Sequence, residues 1–94
     1  MSQAITRFSL GQVVATPGAL ESFTAVGETP LPYLSRHAAG DWGDLDEDDK
    51  RMNDLAAKLD ERILSAYMLT DGTRIWIITE ADRSSTTLLL PEEY

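Results

Sequence analysis

The stretch Arg62-Ile63-Leu64-Ser65-Ala66-Tyr67-Met68-Leu69-Thr70-Asp71-Gly72-Thr73-Arg74-Ile75-Trp76-Ile77-Ile78-Thr79 decides the fold. Arg62 to Leu69 is rich in strand formers, and Thr70-Asp71-Gly72-Thr73 carries the Asp-Gly pair of a tight hairpin, whose turn needs positive φ. Arg74 to Thr79 is apolar on both faces, the mark of a strand with neighbours on either side. A polar link, Ala81 to Ser84, leads to a third strand from Ser85 to Leu90, which Pro91 terminates. The last third therefore reads as an antiparallel meander.

Upstream of it the apolar period lengthens to that of helices. Glu47 to Leu59 places Met52, Leu55, Ala56 and Leu59 at spacings of 3, 4 and 7, which predicts one long helix. Asp41-Trp42-Gly43-Asp44 is a turn before it. Thr29-Pro30 opens a shorter helix with Leu31, Leu34 and Ala38 on one side, and Gly40 ends it. Thr16-Pro17 opens another, striped by Leu20, Phe23 and Val26 and stopped by Gly27. Phe8 to Ala15 is a short extended piece. Helices first and strands afterwards predict one α+β domain over residues 1–94. In it, two or three N-terminal helices pack on a C-terminal antiparallel meander of three to four strands.

Composition narrows the function classes. The chain has 94 residues, 43% of them apolar, enough for one thin core. Sixteen acids against eight bases leave a net charge of −8, which argues against nucleic acid or an anionic membrane as partner. Cysteine is absent, so disulfides, thiol catalysis and thiolate metal sites are excluded. Met1 to Leu10 lacks the basic patch and apolar run of a secretory signal, and no run could span a bilayer. A cytoplasmic protein without a cofactor is expected.

The charge is uneven. Residues 41–61 hold nine acids against three bases, a net −6. Within them Asp41, Asp44, Asp46, Glu47, Asp48 and Asp49 form a run. Asp44, Asp46 and Asp48 match the first three ligand positions of a calcium loop, but Asp49 and Leu55 stand where its glycine and bidentate acid belong. Acids at a helix start suit the helix dipole, yet one or two suffice for that. The excess suits a surface for a basic protein, whose long-range attraction speeds encounter.

A second cluster, Arg36-His37-Ala38-Ala39-Gly40-Asp41-Trp42-Gly43-Asp44, holds the only histidine. Read as chemistry, His37 is a general base, Asp41 its orienting acid and Ser35 a conceivable nucleophile. Read as structure, His37 and Asp41 close a helix end and Trp42 packs over the core edge. The scattered glycines make no phosphate loop, and Trp76 and Tyr67 suit cross-strand packing better than base stacking. Pro91-Glu92-Glu93-Tyr94 reads as a frayed end or a short recognition tail.

Several strings are similar to those of a family of small bacterial proteins described as plasmid-related, some of them labelled restriction-system subunits. They are Gly11-Gln12-Val13-Val14-Ala15-Thr16-Pro17-Gly18-Ala19-Leu20, Arg36-His37, Gly40 to Asp44, Arg62 to Tyr67, Trp76 to Glu80 and Leu89 to Tyr94. The resemblance runs from Phe8 to the end and singles out Arg36 to Asp44. It implies a setting on plasmids, phages or other mobile elements, where small acidic proteins act on host defence proteins. It implies no catalytic residue.

Together these readings predict a non-enzymatic, acidic protein-binding module, a regulator or inhibitor of a nucleic-acid-handling protein. Its expected contact surface is His37, Asp41, Trp42, Asp44, Asp46, Glu47, Asp48 and Asp49, with Trp42 as buried anchor and the carboxylates for steering. The alternatives are a small enzyme or ligand-binding domain using His37 and Asp41, and a homodimer joined through its apolar sheet face.

Overall fold

The computed structural model describes residues 6–94; the first five, part of the stretch read above for a signal, lie outside the described residues. The elements follow in the order β1 (Gln12–Ala15), α1 (Pro17–Val26), α2 (Leu31–Ala39), α3 (Glu47–Lys58), β2 (Ile63–Met68), β3 (Arg74–Thr79) and β4 (Ser85–Leu89). The helix boundaries are those written in the caps. Thr16 accepts a hydrogen bond from the Ala19 amide, Asp46 accepts one from Asp49, and Gly27 and Gly40 close α1 and α2 with positive φ.

The sheet has four strands in the order β1-β4-β3-β2. β2, β3 and β4 form the expected antiparallel meander, with β3 inside it. The expectation of a purely antiparallel sheet is corrected by β1, which pairs parallel to β4 from Gln12↔Ser85 to Ala15↔Leu88. The reason is topological: three helices separate β1 from β2, so the chain crosses over and enters the sheet at its opposite edge. Among the described residues, no helix is long and apolar enough to cross a membrane.

Register and the two-residue strand period set Ile63, Ser65, Tyr67, Ile75, Ile77, Thr79, Thr86 and Leu88 on one face, all of them buried. Ala19 and Phe23 of α1 pack there against Tyr67, Ile75, Ile77 and Leu88. A second cluster gathers Trp42, Ala56 and Ile63, with Phe8, Leu45 and Ala57 around it.

The helix faces depart from the expected stripes. Leu20, Leu31, Met52, Leu55 and Leu59 are exposed; of the expected stripes Phe23, Ala38 and Ala56 are buried, and Ala19, His37 and Asn53 join them. Close approach to the sheet favours small side chains, and α3 lies beside the edge of β2, where backbone groups need partners. Asn53 supplies them: its amide donates to the Leu64 carbonyl at 2.7 Å and its oxygen accepts from the Leu64 amide at 3.3 Å. One step along, Ala66 donates to the Trp42 carbonyl at 3.2 Å and accepts from the Asp44 amide at 2.7 Å. The expected frayed tail is also corrected. The Glu93 carboxylate accepts from Thr16 at 2.6 Å, and Tyr94 meets Trp76 edge-on with its hydroxyl 2.8 Å from Arg62.

Candidate functional site

α2 ends over the sheet, and its last turn delivers His37 to the inner face, where the side chain is fully buried. Nδ1 lies 2.5 Å from Ser65 Oγ on β2, and Nε2 lies 2.9 Å from Thr79 Oγ1 on β3. Thr79 Oγ1 is 2.7 Å from Thr86 Oγ1 on β4, and Thr86 donates to the Leu10 carbonyl at 2.7 Å. That last bond orients all the others. A carbonyl only accepts, so the single Thr86 proton is used there, and Thr79 must give its own proton to Thr86. His37 Nε2 therefore donates to Thr79, and Nδ1 accepts from Ser65. The network thus assigns His37 as the neutral Nε2–H tautomer. Burial, helped by the nearby charge of Arg83, pushes its pKa down to about 4.

Trp42 is likewise internal. Its indole Nε1 donates to Asp54 Oδ1 at 2.9 Å, and its ring stacks on Phe8 with centroids 6.0 Å apart. The expected contact surface is corrected at these two residues: His37 and Trp42 are buried, the imidazole bonded to Ser65 and Thr79 inside the fold and the indole to Asp54 at its edge. The other members of that surface are on the outside. Asp41, Asp44, Asp46, Glu47, Asp48 and Asp49 are all exposed.

Asp41 is held by Arg36, whose Nε donates to it at 2.7 Å, and by the Gly43 amide at 3.2 Å. The bond from Arg36 is the main reason its carboxyl sits below the usual range. Arg36 also lies over the Tyr67 ring, and the Tyr67 hydroxyl donates to the Asp41 carbonyl at 2.6 Å. Asp41 therefore belongs to an arginine–tyrosine cluster rather than to His37, and the expected acid–base pair is not assembled. Ser35 is exposed on α2, and the serine that meets the imidazole is Ser65.

The carboxylates at the start of α3 have separate tasks. Asp46 caps the helix, Glu47 faces Lys50 at 3.8 Å, and Asp48 pairs with Arg51. Asp44 and Asp49 have no ion pair among the described residues. Nor do any three His, Asp or Glu side chains among those residues group in a way that could hold a metal ion. Beside this surface a shallow groove of about 230 Å³ runs between Leu45, Met52 and Leu64.

Sequence reasoning missed Ser65, Thr79 and Thr86 as His37 partners, and Asn53 as a closure of the sheet edge. The signal for the first three was polar residues at alternate, inward positions of apolar strands, as in Ile63-Leu64-Ser65-Ala66-Tyr67. Asn53 gave none, since nothing local marks which strand edge a helical amide will reach. The chain matches no family model, no curated protein and no solved structure.

Proposed function

We propose that the protein is a non-enzymatic binding module that presents the entry of α3 to a basic protein. The observation that carries this reading is the exposed run from Asp41 to Asp49, in a segment whose net charge is −6 even after its three bases are counted. Fixed carboxylates of this kind offer a nucleic-acid-binding protein the electrostatics of a phosphate backbone. The bonds of Trp42 to Asp54 and of Arg36 to Asp41, at the entry to this segment, support a defined geometry for the run. Read with the resemblance to plasmid-related bacterial proteins, the module regulates or inhibits a nucleic-acid-handling defence protein met by a mobile element.

The test compares the tagged protein with a variant carrying Asp44→Asn, Asp46→Asn, Asp48→Asn and Asp49→Asn in capture from bacterial lysate at low and high salt. Asparagine at 46 still caps α3, so charge changes without loss of the helix start. The expected result is one basic partner held by the native protein and lost by both the variant and high salt. Equal retention by the two proteins would sink the reading.

A further inference from the structure

α3 carries more apolar surface than the fold uses. Met52, Leu55 and Leu59 are 64%, 48% and 58% exposed, while the helix docks on its sheet edge through Asn53 and Ala56. At about 100° per residue, Leu55, Asp48, Leu59 and Met52 fall within about 60° of one another on the wheel. Met52, Leu55 and Leu59 form one apolar stripe about 10 Å long, the length of two turns of a facing helix, and Asp48 continues it by about one turn more. Beside it lies the groove between Leu45, Met52 and Leu64, with Asp49 on its rim. Three large apolar side chains in one row on a helix this polar form a patch that asks for a covering partner.

Charge decides between the occupants. A second copy of this chain would set two segments of net −6 against each other across the same stripe. A partner with basic flanks instead meets Asp49, which has no ion pair among the described residues, and Asp48, which it shares with Arg51. Resting on the function proposed above, we infer that the outer face of α3 docks a basic amphipathic helix of the partner protein. Its apolar side chains lie on Met52, Leu55 and Leu59, and its Lys and Arg side chains lie against Asp48 and Asp49. This is the helix-in-groove mode of recognition, with the charge rim setting orientation.

The test titrates the full chain with a synthetic helical peptide of roughly 18 residues, Leu on one face and Lys on the other. A scrambled peptide of the same composition is the control. Binding is followed by amide chemical shifts and calorimetry. The expected result is saturable binding that shifts the signals of residues 45–59, at least about tenfold weaker for the scrambled peptide. A variant with Met52→Gln, Leu55→Gln and Leu59→Gln, all on exposed positions, should lose about tenfold in affinity while melting as the native chain does. If that variant binds as tightly as the native protein while the Asp→Asn variant does not, the apolar stripe is refuted and the acidic surface stands. Equal binding of the two peptides, or no binding of either, overturns the inference too. So does a native dimer in sedimentation that the Gln variant abolishes, because the stripe would then be a self-association surface.

Discussion

At one edge of the sheet, β2, the outward amides and carbonyls of Leu64 and Ala66 are all answered: those of Leu64 by a side chain and those of Ala66 by a neighbouring backbone segment. At the other edge, β1, Val13 and Val14 are 44% and 41% exposed, and among the described residues no strand lies on the side of them away from β4. The difference teaches what each edge is for. The β2 closure fixes the segment from Trp42 to Asp44 and the start of α3, which is where the acidic surface begins. The β1 edge carries no such surface, and its protection is only its shortness, four residues.

Gly43→Ala should break this contrast most. Gly43 has φ 76°, and a Cβ there would fall 1.9 Å from the Ala66 carbonyl oxygen, a backbone atom that cannot swing aside. The expected loss is about 3 kcal/mol or more, with the bridge to β2 opened. Urea denaturation measures it, and a native-like midpoint would show that the closure is not needed.

The His37 chain links the two edges, since it runs from Ser65 on β2 through β3 and β4 to Leu10, just before β1. The folded state keeps the imidazole neutral, with a pKa of about 4 against 6.5 for the free group, so the unfolded chain binds the proton more readily. Stability is therefore complete above pH 6.5 and falls as the pH drops toward 4, by about 3 kcal/mol at pH 4. A denaturation series across that window, run beside His37→Gln, should show a steeper slope for the native protein than for the variant, which keeps only the contribution of carboxylates such as Asp41. Nitrogen-15 shifts of the ring at neutral pH should report a protonated Nε2. An Nδ1–H tautomer would contradict the bond order that runs to Leu10.

Asn53→Ala isolates the side-chain half of the β2 closure. Two bonds to Leu64 vanish and its backbone groups beside α3 lose their partners, which costs about 2 kcal/mol, roughly a 10 °C fall in melting temperature. α3 itself should persist, because alanine is the better helix former.

These residues also mark how far the sequence could be read. Caps at Thr16, Gly27, Gly40 and Asp46, the Asp71-Gly72 turn and the central place of β3 were legible because each is decided by local backbone physics. The parallel pairing of Gln12 with Ser85 was not, since nothing near either residue encodes a partner so distant in the chain. α3 misled for a different reason. Met52, Leu55 and Leu59 obey helical spacing, but the need of Leu64 for hydrogen bonds turned Asn53 inward and left the larger side chains outside. The acidic run was plain in the sequence; that His37 and Trp42 are buried followed only from tertiary packing.

The smallest effect belongs to the open edge. Val13→Thr keeps a β-branched side chain at an exposed site and should change stability by no more than about 0.5 kcal/mol. Gln12 and Thr16 donate their amides to Ser84 and Leu88, so the intervening odd-numbered residues, Val13 and Ala15, point theirs away from β4. Hydrogen exchange should then find these two amides fast and those of Leu64 and Ala66 slow, although all four lie on edge strands. Were Val13 and Ala15 as protected as Leu64, a partner strand would have to be present at β1 in solution. The asymmetry between the edges would then describe half of an assembly rather than the single chain.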